Sequence, residues 1–248
     1  MIRLNNVKKC FGDKEALKGI SLTIQRGETI AIIGGSGSGK STLLRLMIGL
    51  DRPTSGAIYI GDENIAALDE DALDRVRLRM GMVFQYSALF DSMSVGENVA
   101  FGLREHTHKS EEEIRRIVRE KLALVGLPDA AGLMPQELSG GMKKRVGLAR
   151  AIATDPEIIF YDEPSSGLDP IMTAKIDELI IDMQKKLGVT SVVVTHDMAS
   201  ASRIADRIAM IYDGELIAVD TAARFQDIAD ERVQAFFRTL HHRREAGA

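Results

Sequence analysis

The sequence has 248 residues, a formal net charge of −4 and a single cysteine, Cys10. This length suffices for one large α/β domain or for a core domain with a subdomain, and one cysteine excludes an internal disulfide. The charge balance gives no global basis for nucleic-acid binding, which usually leaves a basic domain or stripe. No apolar run approaches the ~18 residues of a membrane-spanning helix and no signal peptide is visible, so we expect a soluble cytoplasmic chain.

Six short apolar runs rich in β-branched residues predict strands, at residues 20–24, 29–33, 57–60, 157–161, 191–195 and 207–212. The runs that begin at 29, 157 and 191 are apolar on both faces, which is typical of buried strands in a parallel sheet. Helical periodicity follows at 41–50 and at 172–187. Strands alternating with helices in this way predict an α/β fold.

The middle of the chain, from about residue 85 to 154, changes to helical patterns and predicts a helical subdomain. Its clearest helix opens at Ser110, with Glu113 three residues later in capping-box spacing, and closes near Gly126. We interpret the mixed charges on this helix as a solvated surface.

An apolar stripe near the C-terminus consists of Val233, Phe236, Phe237 and Leu240. Such a stripe packs either on its own domain or on a second subunit. We favour the first alternative.

The stretch GGSGSGKST, residues 34–42, follows the predicted buried strand 29–33 and precedes a predicted helix, which is the context of a P-loop. Glycines let consecutive N–H groups converge on one phosphate, and the helix adds its positive N-terminal end. Lys40 would reach the β- and γ-phosphates and the Ser41 hydroxyl would bind Mg²⁺. A merely flexible turn would not require Lys-Ser here, so the motif indicates a nucleoside triphosphate.

Two adjacent carboxylates, Asp162 and Glu163, end the apolar run IIFYDE. Unpaired buried carboxylates are costly, and a metal ion removes that difficulty. Asp162 would orient Mg²⁺ through its hydration shell, and Glu163 would act as general base on the attacking water. The alternative is that Asp162 only caps a helix.

Ser139, Gly140 and Gly141 precede a further helical pattern and predict a second anion site at a helix N-terminus. A simple N-cap with a loop is the alternative. The basic run at 143–145 can be interpreted as a nucleic-acid patch or as a solvated or interfacial helix face, and we favour the face.

These three motifs, in this order, resemble those of the ATP-binding cassette (ABC) ATPases: GGSGSGKS is similar to Walker A, IIFYDE to Walker B and LSGGM to the signature sequence. The resemblance implies that Gln85 is the Q-loop glutamine, that residues 166–169 form the D-loop, that His196 is the switch histidine and that Phe11 stacks on adenine. A plain core residue is the alternative for Phe11.

The resemblance implies ATP and Mg²⁺ as ligands and a fixed set of site residues. Nucleotide binding is assigned to Phe11, Gly34, Gly35, Ser36, Gly37, Ser38, Gly39, Lys40, Ser41, Thr42, Ser139, Gly140, Gly141 and Asp169. Catalysis is assigned to Glu163, His196 and Gln85, and the metal to Ser41, Gln85 and Asp162.

The implied fold is an α/β P-loop NTPase of ABC-ATPase type, with a mostly parallel core sheet, an N-terminal antiparallel β-subdomain and an inserted helical subdomain. We expect the ATP-binding core at 1–84 and 156–225, the helical subdomain at 85–155, and a C-terminal amphipathic helix with a polar tail at 226–248. ATP would bind between two copies arranged head to tail, each Walker A being capped by residues 139–141 of the other copy.

Below the level of motifs, residues 76–107 and 124–170 resemble the ATPase of the maintenance-of-lipid-asymmetry (Mla) and Mce-type phospholipid transport family. Met142, where ABC ATPases usually have glutamine, is shared with that family. The resemblance implies a homodimer on the cytoplasmic face of the inner membrane, bound to an integral membrane permease, with an MCE-domain lipid-binding protein and a small STAS-domain subunit as further partners and no nucleic acid. Cargo would be phospholipid or a related amphiphile moved between the inner membrane and the outer envelope.

Two other functions remain open from the sequence. One is an importer ATPase for a small solute such as an amino acid, and the other is a soluble regulatory ABC ATPase without a permease. The segment Ala88, Leu89, Phe90, Met93 and Val95 either forms a groove for a permease helix or belongs to the core of the helical subdomain.

Overall fold

The computed structural model describes residues 2–245. Its strands are β1 (Ile2–Phe11), β2 (Lys14–Ile24), β3 (Thr29–Ile33), β4 (Ser55–Ile60), β5 (Glu63–Asn64), β6 (Met80–Val83), β7 (Ile158–Asp162), β8 (Thr190–Val194), β9 (Arg207–Tyr212) and β10 (Glu215–Thr221). Its helices are α1 (Lys40–Met47), α2 (Glu70–Arg77), α3 (Val95–His106), α4 (Glu111–Leu124), α5 (Gly140–Ala151), α6 (Pro170–Leu187), α7 (Met198–Ile204) and α8 (Glu231–Glu245). Contacts divide the described chain into two compact units, one of residues 2–73 and 192–245 and one of residues 74–191.

The first unit contains an antiparallel sheet and part of a mostly parallel one. In the antiparallel sheet the strand order is β2-β1-β4-β5, and β1 and β2 form a hairpin in which Phe11 pairs with Lys14. In the other sheet β3 runs parallel to β9, which pairs antiparallel with β10. All five residues of β3 are buried, as the uninterrupted apolar run predicts.

The second unit contains the parallel pair β6 and β7, in register from Met80 opposite Ile158 to Val83 opposite Tyr161, together with α3, α4, α5 and α6. Strand β8 lies at the division of the chain. The Thr190 N–H donates to the Glu157 carbonyl in the second unit, and the Thr195 N–H, just after β8, donates to the Ile32 carbonyl in the first.

The predicted α/β class, with an antiparallel sheet and a mostly parallel sheet, is confirmed. The helix predicted at Ser110 begins there with a complete capping box, in which the Ser110 hydroxyl accepts from the Glu113 N–H and the Glu113 carboxylate accepts from the Ser110 N–H. The apolar runs at 29–33 and 207–212 coincide with β3 and β9.

Four strands, β1, β5, β6 and β10, lie outside the predicted runs. In β1 the alternation of buried residues is broken between Leu4 and Val7, where the register shifts at a bulge and Asn6 has a φ of 47°. A bulge moves the following side chains to the other face, so the period of two fails there.

The C-terminal stripe packs on its own unit, as favoured above. Val233 is buried in a cluster with Phe225 and Met210, and the rings of Phe225 and Phe237 lie 6.4 Å apart. Phe236 is partly buried against the same cluster. The side chain of Leu240 and residues 246–248 of the polar tail lie outside the described residues.

Gly81 in β6 sets the distance between that strand and the end of α5. A Cβ atom added at Gly81 would lie 2.3 Å from the Ala151 carbonyl oxygen and 3.3 Å from Cγ of Pro156. We expect Gly81→Ala to lower the free energy of unfolding by about 1–3 kcal/mol through overpacking, measured by urea denaturation. Gly132→Ala is the matched control because its Cβ would meet nothing within 4 Å. Equal midpoints for both variants would contradict the close approach.

Candidate functional site

The glycine-rich loop of the first unit connects the buried strand β3 to α1. Gly34, Gly37 and Gly39 have φ values of 152°, 77° and 109°, which an L side chain rarely adopts. A Cβ atom at Gly34 would lie 2.1 Å from the Ile211 carbonyl oxygen, whereas one at Gly37 would meet nothing within 4 Å. The loop is therefore packed tightly on one side and open on the other.

A cavity of about 290 Å³ lies on this loop. Its lining residues are Phe11, Lys14, Glu15, Ala16, Gly37, Ser38, Gly39, Lys40, Ser41, Thr42, Asp213 and Gly214. The cavity is thus bounded by the N-terminal end of α1 and by the tip of the β1–β2 hairpin. A helix N-terminus with glycine backbone around it is a site where phosphate oxygens can be bound.

Two polar side chains of the loop fit an anionic ligand. The Lys40 ammonium group is nearly buried and donates to the carbonyl oxygens of Gly34 at 2.8 Å and Gly35 at 2.9 Å. The Ser38 hydroxyl is buried and has no hydrogen-bond partner among the described protein atoms. A buried unsatisfied hydroxyl is costly, and a phosphate oxygen would satisfy it.

Phe11 is not a core residue. Its side chain is 51% exposed at the tip of the hairpin, and it lines the cavity beside the loop. The Lys9 ammonium nitrogen lies 4.9 Å from the centre of the Phe11 ring. An exposed ring at the mouth of a polar cavity has a face available for stacking on a planar base, which favours the adenine-stacking alternative.

His196 lies in the turn that joins β8 to α7 and is exposed. Asp197, the residue after His196, fixes this turn. Its N–H donates to the Thr195 hydroxyl, and its carboxylate caps α7 by accepting from the N–H groups of Ala199 and Ser200. The imidazole therefore follows the carboxyl end of a buried strand, as the sequence predicts.

In the second unit, β7 carries four buried residues and ends at the half-buried Asp162. No helix begins at Asp162 among the described residues, so the helix-capping alternative for it is wrong. Asp169 is the residue that caps a helix: its carboxylate accepts from the N–H groups of Ile171 and Met172, both at 2.9 Å. Glu163 has a φ of 47°, in the left-handed region.

Gln85 lies two residues beyond β6 and is held at both its side chain and its backbone. Its Nε2 donates to the Ser166 hydroxyl at 3.3 Å, and its carbonyl accepts from the Lys144 ammonium group. Ser87 and Ala88, just after it, have φ values of 63° and 46°. The structure thus brings the predicted glutamine and the segment after Walker B into one hydrogen-bonded cluster.

Ser139 caps α5, because its hydroxyl accepts from the Met142 N–H at 3.3 Å. Ser139 and Gly140 are exposed. A Cβ atom at Gly140 would meet nothing within 4 Å, while one at Gly141 would lie 2.4 Å from Cε of Met172. The N-cap alternative therefore describes the geometry present, and the second anion site stays a prediction.

The interpretation of residues 143–145 as a solvated or interfacial face is wrong for Lys144, whereas Lys143 and Arg145 are partly exposed. Lys144 is only 6% exposed, and burial lowers its pKa against the opposing attraction of the Glu163 and Asp162 carboxylates. Arg145 donates to the carbonyls of Val125 and Gly126. Counting charges along a helix cannot detect such contacts, because the acceptors are backbone carbonyls from distant parts of the sequence.

Arg150 is a positioning group that the sequence motifs do not identify. Its guanidinium group donates to the Ala88 carbonyl at 2.6 Å and the Ser87 carbonyl at 2.7 Å. Burial lowers its pKa. Spacing along α5 is the available signal, because Lys144, Gly147 and Arg150 recur every three residues and share one face.

Comparison with known proteins gives a consistent family. The family model for ABC transporters matches residues 17–166. The chain is 45% identical over 216 residues to the probable ribonucleotide transport ATP-binding protein mkl of Mycobacterium bovis, covering 87% of this chain and 60% of that protein. It is 44% identical over 218 residues to the methionine import ATP-binding protein MetN of Brucella abortus, covering 88% of this chain and 58% of that protein. The chain thus spans about three fifths of the length of these relatives.

A third relative matches over more of both chains. The intermembrane phospholipid transport system ATP-binding protein MlaF of Haemophilus influenzae is 44% identical over 238 residues, which cover 96% of this chain and 90% of that protein.

Among solved structures, the dimeric post-hydrolysis state of the ATP-binding cassette MJ0796 with ADP and Pi has a TM-score of 0.82 at 38% identity, covering 90% of this chain and 99% of that one. CbiO1 from Clostridium perfringens, part of the ABC transporter complex cbiONQ, has a TM-score of 0.84 at 33% identity, covering 94% and 92%. The match of the family model to more than half of the sequence, the three motifs and these relatives agree, and the chain belongs to the ABC transporter family, of which it carries the ATPase domain.

Proposed function

We propose that this chain hydrolyses ATP and so powers an ABC transporter that moves phospholipid or a related amphiphile between the inner membrane and the outer envelope. The observation that supports a phospholipid cargo is the similarity to MlaF. It extends over 96% of this chain, compared with 87–88% for mkl and MetN. The Met142 departure, shared with the Mla family, supports the same assignment.

A small-solute importer is the second candidate. It is supported by MetN, named as a methionine import protein, which is as similar per residue as MlaF. Copurification of this chain from detergent-solubilised membranes separates the candidates, because a lipid transporter would bring a permease with associated phospholipid and an MCE-domain protein. A chain that stays in the soluble fraction under all conditions would favour the regulatory alternative.

The proposed reaction uses phosphate-binding and base-stacking groups of the first unit and water-activating groups of the second. The glycine-rich loop and Lys40 bind the phosphates, Phe11 stacks on the adenine, and His196 holds the γ-phosphate. Glu163 accepts a proton from the attacking water, and Gln85 orients that water.

Mg²⁺, when bound, would be held by Ser41, Gln85 and Asp162 and would neutralise phosphate charge. The donor set fits this ion because a hydroxyl, a side-chain amide and a carboxylate all offer the oxygen ligands that Mg²⁺ prefers. Mg²⁺ commonly keeps several waters and binds through one or two carboxylates plus substrate phosphates, so a single carboxylate suffices.

The proposed assembly is a homodimer at the cytoplasmic face of the inner membrane, with a permease, an MCE-domain protein and a small STAS-domain subunit. The similar MJ0796 cassette is dimeric in its structure with ADP and Pi, which supports two copies. Among the described residues no helix is long and apolar enough to span a bilayer. In this proposal Ser139 and Gly140, which are exposed, contact the nucleotide bound by a second copy.

A cavity of about 580 Å³ in the second unit supports the permease contact. Leu78, Met82, Phe84 and Phe101 are among the residues that line it, and the ring of Phe90 packs 4.8 Å from that of Phe101. Buried Asn98 fixes the loop around Phe90 by accepting from its N–H and donating to the carbonyls of Phe90, Met93 and Ser94. Of the five residues named from the sequence, Val95 is fully buried and belongs to the core, so the groove prediction is wrong for it.

We expect Phe11→Ala to weaken ATP binding roughly tenfold, because stacking of a base on an aromatic ring contributes about 1–3 kcal/mol. Leu50→Ala is the matched control, since Leu50 is exposed to the same extent and lies away from the cavity. The measurement is titration of the isolated chain with a fluorescent ATP analogue. Equal affinities for both variants would mean that Phe11 does not contact the base.

We expect Glu163→Gln to lower ATP hydrolysis on the order of 10²–10⁴-fold by removing the general base, while ATP with Mg²⁺ now holds two copies together. Steady-state phosphate release and light scattering after size-exclusion chromatography measure the two effects. Glu178→Gln, at an exposed position of α6, should leave both unchanged. Hydrolysis at the parental rate in Glu163→Gln would exclude this residue as the base.

We expect Phe90→Asp to lower recovery of the permease with this chain at least about tenfold, because a charge buried in an apolar contact is strongly unfavourable. ATP binding by the isolated chain should be unaffected. Phe90 is 42% exposed and Leu124, on α4, is 39% exposed, so Leu124→Asp controls for a new surface charge. Normal recovery of the permease with Phe90→Asp would reject this docking surface.

A further inference from the structure

Four residues of the second unit form a closed ring of hydrogen bonds. The Lys144 ammonium group donates to the Gln85 carbonyl, and Gln85 Nε2 donates to the Ser166 hydroxyl at 3.3 Å. The Ser166 N–H donates to the Glu163 carbonyl at 3.1 Å, and the same carbonyl lies 3.4 Å from the Lys144 ammonium group. The ring thus joins α5, the segment after β6 and the segment after β7.

Lys144 is the member of the ring that comes from the helix capped by Ser139. It touches the other two segments through their backbone carbonyls. A side chain that binds carbonyls is sensitive to the path of the backbone, whatever side chains that backbone carries. Because the Lys144 ammonium group is buried, losing either carbonyl acceptor would leave its desolvation cost uncompensated. The distances from Lys144 to both carbonyls must therefore be kept.

The two segments that Lys144 joins both contain residues in the left-handed region. Glu163 has a φ of 47°, and Ser87 and Ala88 have φ values of 63° and 46°. Such conformations are unfavourable for residues other than glycine and persist where surrounding contacts hold them. Arg150, on the same face of α5, binds the carbonyls of Ser87 and Ala88. One helix face therefore holds both unfavourable turns.

We propose that Lys144 is a positioning residue that makes the placement of Gln85 and of Glu163 interdependent and ties both to the position of α5. Any displacement of α5 then moves the glutamine and the carboxylate together. Since α5 begins at Ser139, engagement of that serine would be transmitted within the same chain to the residues that act on water. This inference rests on the proposed hydrolysis.

The test uses the full chain, four single variants and the double variant Lys144→Met/Ser166→Ala. Lys144→Met keeps an unbranched side chain and removes the cation, Lys144→Arg keeps the cation, and Ser166→Ala breaks the ring at its opposite side. Lys143→Met is the matched control: it is the neighbouring lysine of the same helix and is partly exposed. Each is assayed for kcat and KM of ATP hydrolysis, for ATP affinity, for thermal unfolding and for amide exchange of residues 84–90 and 162–168.

We expect Lys144→Met to lower kcat by roughly 10–100-fold, the loss typical of misplaced reacting groups, with ATP affinity within about twofold of the parent. Amide exchange should accelerate in both segments, including at the Ser166 N–H, because each loses the same anchor. Lys144→Arg should recover most of the rate, and Lys143→Met should match the parent. The double variant Lys144→Met/Ser166→Ala should be no more than about threefold slower than the slower single variant, since residues of one unit are not additive.

Parental kcat in Lys144→Met would overturn the inference. So would additive losses in the double variant, or faster exchange in only one of the two segments. If Lys144→Met fails to fold, Lys144→Gln, which removes the charge and keeps a polar side chain, replaces it with the same expected and contradicting results. If the parent itself hydrolyses no ATP, the proposed function fails, while amide exchange still reports whether one lysine holds both segments.

Discussion

The positions predicted for Lys40, Asp162 and His196 depend on one constraint: a strand buried on both faces can carry charge only where it ends. In the first unit, β3 is fully buried and leads into the glycine-rich loop, and β8 leads to the exposed His196. In the second unit, β7 ends at Asp162, and Gln85 lies two residues beyond β6. Ligands of open α/β sheets bind outside the carboxyl ends of the strands for the same reason.

Backbone carbonyls hold three cationic side chains that are wholly or partly buried. Lys40, Lys144 and Arg150 all donate to backbone carbonyls in loops with left-handed residues or glycines. A carbonyl oxygen fixes the position of a cation by accepting its hydrogen bonds. These contacts therefore stabilise the unusual backbone turns.

Much of the fold could be predicted from the sequence, because its strongest elements depend on local pattern. The buried run of β3 and the capping box of Ser110 and Glu113 are written in consecutive residues. The bulge at Asn6 in β1 could not be found in this way. A single extra residue exchanges the buried and exposed faces of the residues that follow, so the alternation that identifies a strand is lost. Likewise β6, with the sequence MGMV, contains one β-branched residue and depends on Gly81 for its approach to Ala151.

The candidate site likewise has parts that the sequence predicts and parts that it does not. Its motifs are compact, so the sequence locates the phosphate loop, the two carboxylates and the serine that caps α5. The groups that position them are separated by long stretches of chain: Lys144 is 59 residues from Gln85, and Gln85 is 81 residues from Ser166. Every residue has a backbone carbonyl, so residue types cannot show which carbonyl a lysine will bind. The basic run 143–145 therefore indicates a solvated face in the sequence, although Lys144 is buried. Buried Asn98, which holds the loop around Phe90 by four hydrogen bonds, escapes sequence reasoning for the same reason.

The Lys40 ammonium group already lies within the loop, bound to the carbonyls of Gly34 and Gly35. Its side chain becomes ordered and buried when the protein folds. The conformational entropy of this side chain is therefore lost on folding and not on nucleotide binding. In the proposed reaction an incoming triphosphate would therefore exchange hydrogen-bond partners with a loop whose curvature the protein fold already supplies.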